Sequence, residues 1–239
     1  MAYKRISPMP EVEGGTNQTT YAAGDILYAS ASDTLSKLAK GSDTEVLTLA
    51  SGLPSWAAGG GGGAWTYIST ATASTSATID FTGIDSTYNV YVITASYVIP
   101  TTDDTDMYFR IGTGGTPTYQ SGASDYGWSF GGGTAAGSQG GGDIADSEIE
   151  LVNNGTNNGL GTNTNESWSA IVYVFEPSNS SINTRLFYQV SYEDAGAREV
   201  ALYGQGVYLA TTAVTAFRFI LSSSTIASGV FKLYGITGS

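Results

Sequence analysis

Ile182-Asn183-Thr184-Arg185-Leu186-Phe187-Tyr188-Gln189-Val190-Ser191-Tyr192-Glu193 is the stretch from which the fold class is read. Ile182, Thr184, Leu186, Tyr188, Val190 and Tyr192 occupy every second position, while Asn183, Arg185, Gln189, Ser191 and Glu193 fill the gaps with a lone Phe187. A period of two sends alternate side chains to opposite faces of a pleated strand, and β-branched and aromatic residues suit such a surface. The stretch therefore predicts a β-strand with one wet face.

The same pattern predicts strands near Trp65–Ser69, Ala77–Phe81, Tyr88–Ile99, Met107–Ile111, Tyr126–Phe130, Glu148–Val152, Ser169–Phe175, Val200–Leu209, Ala216–Leu221 and Val230–Ile236. Tyr88–Ile99 and Ala170–Phe175 are apolar on both faces, which predicts a central place in a sheet or an outer face covered by another subunit. Gly, Asn, Asp and Pro clusters such as Ile84-Asp85-Ser86 and Glu176-Pro177-Ser178-Asn179 separate the strands, as turn formers do. Many short strands without a convincing helix predict an all-β domain, an antiparallel β-sandwich of jelly-roll type. Two segments read as long loops: Gly131 to Gly142, and Asn153 to Glu166.

Composition narrows the chemistry. The 239 residues contain no Cys and no His, so disulfides, thiolate chemistry and a Ser-His-Asp triad are excluded. A net charge of −12 opposes binding to nucleic acid phosphates or to an anionic membrane surface. The longest apolar run, Ala170 to Phe175, is far short of a membrane helix, and Met1 to Pro10 lacks an apolar signal-peptide core. These features predict a soluble product made in a cytoplasm.

Gly59 to Gly63 is a run of consecutive glycines, the residue that loses most backbone entropy when ordered. It predicts a joint over 59–64 between an N-terminal part, 1–58, and a domain over 65–239. Charge divides there too: residues 1–64 hold 6 acidic and 4 basic residues, and 65–239 hold 15 and 5. The larger apolar residues of the first part come in short groups, too few for a monomeric core, so its order must come from other copies or a docking surface. Within it Ile26-Leu27-Tyr28 and Glu45 to Leu49 read as strands and Thr34 to Lys40 as a helical turn.

The first part also carries a resemblance. Glu13-Gly14-Gly15-Thr16-Asn17-Gln18-Thr19-Thr20-Tyr21 is followed by Gly24-Asp25-Ile26-Leu27-Tyr28-Ala29-Ser30-Ala31-Ser32-Asp33-Thr34-Leu35-Ser36-Lys37-Leu38. Glu45-Val46-Leu47-Thr48 and Gly52-Leu53-Pro54-Ser55-Trp56-Ala57 come next. This succession resembles a segment of bacteriophage fibre proteins that reads GGTGxT, GDxLYASAxNTLxKLxxG, VLT and a GxPxW close. Asn17 stands where those fibres usually have Gly. The likeness covers residues 13–58, roughly a fifth of the chain. Ala77 to Ile84, Ser121 to Trp128 and Ala227 to Ile236 more loosely resemble the β domains that follow such segments.

The resemblance implies a virion surface protein, a homotrimeric tail or head fibre assembled in the host cytoplasm. Its N-terminal segment would engage other virion structural proteins, and its β domain would meet a host surface glycan or protein. A structural head fibre or capsid decoration protein without receptor binding is the alternative. Neither implies a cofactor, nucleic acid or membrane insertion.

Candidate chemistry in the β domain is sparse. Paired carboxylates for glycoside hydrolysis could come from Asp103, Asp104, Asp106, Asp143, Asp146, Glu148 or Glu150, but their spacing is not diagnostic and no enzymatic role is expected. Asp103-Asp104-Thr105-Asp106 could offer oxygens to calcium, although it lacks the glycine and distal Glu of an EF-hand, so a solvated turn is the default reading. Gly112-Thr113-Gly114-Gly115 and Gly131-Gly132-Gly133 lack the Lys-Ser/Thr of a phosphate loop. Sequons at Asn17, Asn154, Asn165 and Asn179 are expected by chance in so polar a chain. Tyr126, Trp128 and Phe130 alternate beside Asp125, a sugar-stacking arrangement in which rings cover a pyranose and the carboxylate accepts from its hydroxyls. The competing reading is a core strand. Trp168 beside the Asn-rich loop is a second stacking candidate.

Overall fold

The structure, a computed structural model, describes residues 15–58, 65–134, 137–152 and 159–236. The glycine joint at 59–64 and residues 153–158 of the Asn-rich segment lie outside the described residues. The chain forms two compact units, residues 1–63 and 64–239. Both are built from antiparallel strands, and the helix among the described residues is a single 3-10 turn, Thr164–Glu166.

The first unit consists of two β-hairpins. β1 (Ile26–Ala31) pairs with β2 (Thr34–Leu38), and β3 (Glu45–Ala50) with β4 (Leu53–Ala58). The expected helical turn over Thr34–Lys40 is instead a strand. The three-residue spacing of Leu35 and Leu38 imitates a helix, but the two-residue loop Ser32-Asp33 folds Thr34 back against Ala31 and puts Leu38 opposite Ile26. The second hairpin turns at Ser51 and Gly52, both at positive φ (50° and 83°), the backbone of a tight turn matching strand twist. Trp56 donates its indole N–H to the Ala39 carbonyl at 2.7 Å, tying this hairpin to the chain between the two. No described residue of 15–58 is buried, and Val46, Leu47, Leu49 and Leu53 are exposed.

The second unit packs two sheets face to face. The larger has eight strands: β5 (Thr66–Ser76), β7 (Val90–Pro100), β10 (Tyr126–Thr134), β11 (Gly137–Asp146), β13 (Trp168–Phe175), β14 (Arg185–Glu193), β15 (Glu199–Tyr208) and β17 (Ile226–Ile236). Their order across the sheet is β11-β10-β15-β14-β13-β7-β17-β5. The smaller has five: β6 (Thr78–Thr82), β8 (Met107–Thr113), β9 (Thr118–Tyr119), β12 (Ile149–Glu150) and β16 (Val214–Leu221). All-β architecture is as expected, but the division into eight and five differs from the eight strands of a jelly roll.

The period-two reading of β14 holds. Leu186, Tyr188, Val190 and Tyr192 are buried, and Arg185, Phe187, Gln189 and Ser191 are exposed. Ile182 is exposed and precedes the strand, whose pairing begins at Arg185 opposite Phe175. The doubly apolar β7 and β13 are neighbours inside the large sheet. Gly131 to Gly142, expected as a loop, is mostly the β10–β11 hairpin, with residues 135–136 outside the described set. Its ladder is made by backbone groups that need no side-chain pattern, and glycine is required by close approach: a Cβ on Gly132 would lie 2.2 Å from the Ala201 carbonyl oxygen.

Large rings span the core. Trp168 (β13) meets Phe219 (β16) with centroids 6.4 Å apart, Phe219 meets Phe231 (β17) at 5.1 Å, and Phe217 lies 6.0 Å from Tyr91 (β7). Two phenols stitch the sheets together. The Tyr126 hydroxyl accepts from the Ile111 N–H (2.8 Å) and donates to the Gln120 carbonyl, and the Tyr188 hydroxyl donates to the Glu150 carbonyl at 2.9 Å. Burial raises both phenols, and that of Tyr192, far above the ordinary value near 10. Tyr108 and Tyr119 are pushed up to about 12 by the same cause.

The sign of the resulting pH effect follows. A group whose folded pKa exceeds its unfolded value contributes nothing variable below pH ~10, and stability is lost as pH rises above it. Absorbance titration of tyrosinate should thus show only part of the 16 tyrosines ionising near pH 10 and the rest in one steep step with unfolding. Sixteen phenols titrating together while the native near-UV spectrum persists would contradict this packing.

Candidate functional site

Three of the four residues expected to meet a sugar lie in the core. Tyr126 and Trp168 are fully buried, and Trp128 is 8% exposed. This corrects the stacking assignment: alternation put Tyr126, Trp128 and Phe130 on one face as expected, but that face turns toward the smaller sheet. Trp128 is stacked on Phe130 (centroids 6.0 Å, interplanar angle 7°) and donates its indole N–H to Asp146 at 2.9 Å. Asp125 uses its carboxylate to close its own turn, accepting from the Gly122 N–H at 2.5 Å.

The acidic loop is likewise engaged internally. Asp103 accepts from the Thr162 N–H (2.9 Å) and hydroxyl, and Asp104 from the Gly159 N–H at 2.7 Å. The Asp106 N–H donates to the Ser222 hydroxyl at 3.0 Å. Among the described residues no group of three carboxylates is arranged to hold a metal ion. These contacts fasten the loop after β7 to the segment before β13. Next to it Asp194, fully buried, accepts from the Gly196 and Arg198 N–H groups and from the Arg198 guanidinium at 2.8 Å. Asp194→Ala should cost about 3 kcal/mol, because it strands those donors and the Arg198 charge. Urea denaturation checks this; a loss below about 1 kcal/mol would show the loop to be held by other means.

The carboxylates weighed for glycoside hydrolysis also serve as acceptors: Asp143 for the Ala145 N–H, Asp146 for Trp128, and Glu148 for Arg110 (2.7 Å) and the Ser147 hydroxyl.

The outer face of the large sheet offers what the core rings cannot. Cross-strand register aligns Tyr67, Tyr234, Val92, Tyr173, Phe187, Gln205 and Ser129 in one row from β5 to β10. Beside that row stand Arg185, paired with Phe175 and Val207, and Tyr203, paired with Gln189 and Gly131. Tyr203 is 58% exposed, and its ring leans over Gly131, where an added Cβ would lie 3.3 Å from the hydroxyl oxygen.

Three shallow depressions adjoin one another here. The first, about 440 Å³, lies between Phe175, Ile182 and Arg185. The second, about 330 Å³, shares Arg185 and runs along Ser129, Ile144 and Gln205. The third, about 260 Å³, shares Ser129 and Gln205 and lies between Phe187 and Tyr203. The sequence signal for this face was the lone Phe187 among the polar positions of β14. The alternating aromatics of β10 sit beside a polar, glycine-rich stretch that imitates a wet face, although Tyr126 and Trp128 themselves are buried.

Charge distinguishes the face further. The domain holds five basic residues. Arg110, Arg198 and Arg218 pair with Glu148, Asp194 and Asp80; Arg218 grips Asp80 with two bonds across β16 and β6 above the Tyr119 ring. Arg185 and Lys232 have no ion pair among the described residues, and both stand exposed on the outer face of the large sheet.

No protein-family model matches the chain, and neither a curated protein nor a solved structure matches it.

Proposed function

We propose that this protein is a homotrimeric bacteriophage fibre of the virion surface, which attaches the particle to the host cell through the β domain of residues 65–239. The observation that carries this reading is the contrast between the two units. Residues 15–58 form two hairpins in which nothing is buried and five large aliphatic side chains are exposed, while the second unit buries a large core of its own. A lone two-stranded hairpin is marginal in water, so strands of this kind gain stability when other copies cover their apolar faces. The fibre-like motifs coincide with those hairpins: Gly24 to Leu38 spans β1 and β2, and Glu45 to Ala57 spans β3 and β4. The N-terminal segment couples the trimer to other virion proteins, and the β domain is the host-facing, non-catalytic head.

Gold-labelled antibody against residues 65–239, imaged on purified particles, tests the assignment together with competition: added protein should reduce particle adsorption to host cells. Label on the particle without competition would favour the head-fibre or decoration role. Absence of label from the particle would overturn the fibre reading altogether.

A further inference from the structure

We propose that the outer face of the large sheet, around Arg185, Phe187, Tyr203 and Gln205, binds an acidic oligosaccharide, a chain of sugars bearing carboxylate or phosphate groups. This rests on the attachment reading above and names the site and the ligand chemistry for it.

Shape comes first. The three adjoining depressions share Arg185, Ser129 and Gln205 and cross strands β10, β15, β14 and β13. Three strand spacings make a track about 14 Å long, room for a few linked sugar rings and too shallow to enclose a compact cofactor. Side-chain chemistry comes second. Exposed Phe187 and Tyr203 flank the third depression and can cover the apolar faces of pyranose rings. Gln205, Gln189 and Ser129 put planar amides and a hydroxyl beside them, groups that exchange hydrogen bonds with sugar hydroxyls.

Charge decides between neutral and acidic sugars. The domain carries 15 acidic against 5 basic residues, yet its two cations without an ion pair among the described residues both stand on this face. The acidic residues of β14 and β15 on this face, Glu193 and Glu199, are paired at the far end from Arg185, and the two carboxylates that line the depressions with it are engaged elsewhere: Glu176 accepts from the Asn89 amide and Asp143 from the Ala145 N–H. Arg185 therefore presents an uncommitted fork, of the geometry that accepts a carboxylate or phosphate bidentately, at the junction of two depressions.

The full-length chain applied to an array of matched acidic and neutral oligosaccharides tests the proposal. Acidic members should be retained, with binding that weakens as salt rises. Arg185→Gln should reduce their binding at least tenfold, Tyr203→Ser should reduce it as well, and Tyr67→Ser at the opposite edge should not. All three side chains are exposed, so melting temperatures should stay within a few degrees of the parent. Failure to retain any acidic member, equal retention of neutral ones, or indifference to both Arg185→Gln and Tyr203→Ser would overturn the site. So would a change of oligomer mass caused by Tyr203→Ser, which would make this face a contact between copies. Because particle labelling and chain mass are measured independently, a negative array on a particle-borne trimer removes this site and leaves the fibre reading standing.

Discussion

Replacing Trp168 with Ala should cost the β domain about 3–5 kcal/mol, a large share of the stability of a typical domain. The indole is fully buried on β13 between Phe219 and Phe231, at 6.4 and 6.5 Å, so truncation opens a cavity where the two sheets meet. Its N–H has no hydrogen-bond partner among the described residues. Trp168→Phe should accordingly cost clearly less than Trp168→Ala, since it keeps most of the ring volume and removes a donor that is buried without compensation. Urea unfolding of both variants, followed by far-UV dichroism, is the check. Equal losses, or an Ala variant within about 1 kcal/mol of the parent, would mean that this ring does not join the sheets as described.

The second large effect concerns the hairpins. Leu47 and Leu49 alternate on β3 and are 49% and 73% exposed. If three copies cover them, each leucine is worth up to about 1.5–3 kcal/mol of burial. The double substitution Leu47→Ser with Leu49→Ser should then raise the concentration at which the oligomer half-dissociates at least 100-fold, about 3 kcal/mol. The melting transition of the β domain should stay in place, because its core is made of residues after 65. Sedimentation velocity over a dilution series reads the first and calorimetry the second. An unchanged dissociation constant would show that these leucines are not part of a shared core.

The sequence made the β domain legible wherever a strand carries alternating large residues. All eleven stretches singled out by period two contain a strand, with ends displaced by a few residues. Strands without that alternation were hidden. β11 is Gly137–Asp146, whose glycines and polar residues carry no burial signal because it is the edge of the sheet and mostly exposed. The second half of β5, Ala71 to Ser76, is small and polar for the same reason. In the N-terminal unit, Leu35 and Leu38 misled because a short hairpin strand and a helical turn can share a three-residue apolar spacing.

The site was less legible than the fold. Periodicity told which residues share a face but not which face is covered. On β10 the aromatic face is the inner one, and on β14 and β15 the outer face carries Phe187 and Tyr203. Only the pairing of β10 with β15, strands distant in sequence, brings Ser129 beside the Gln205, Phe187 and Arg185 of the consecutive strands β14 and β15. The neutral look of the face also hid its charge, because which cations are already paired is decided by tertiary contacts such as Arg218 with Asp80.

Sedimentation equilibrium of the full-length chain at micromolar concentration tests the shared core of residues 15–58 most directly. A mass three times the 24.7 kDa of one chain is the result that a common core of hairpins requires. A single species of 24.7 kDa would contradict it, since the exposed apolar hairpins would then have nothing to cover them.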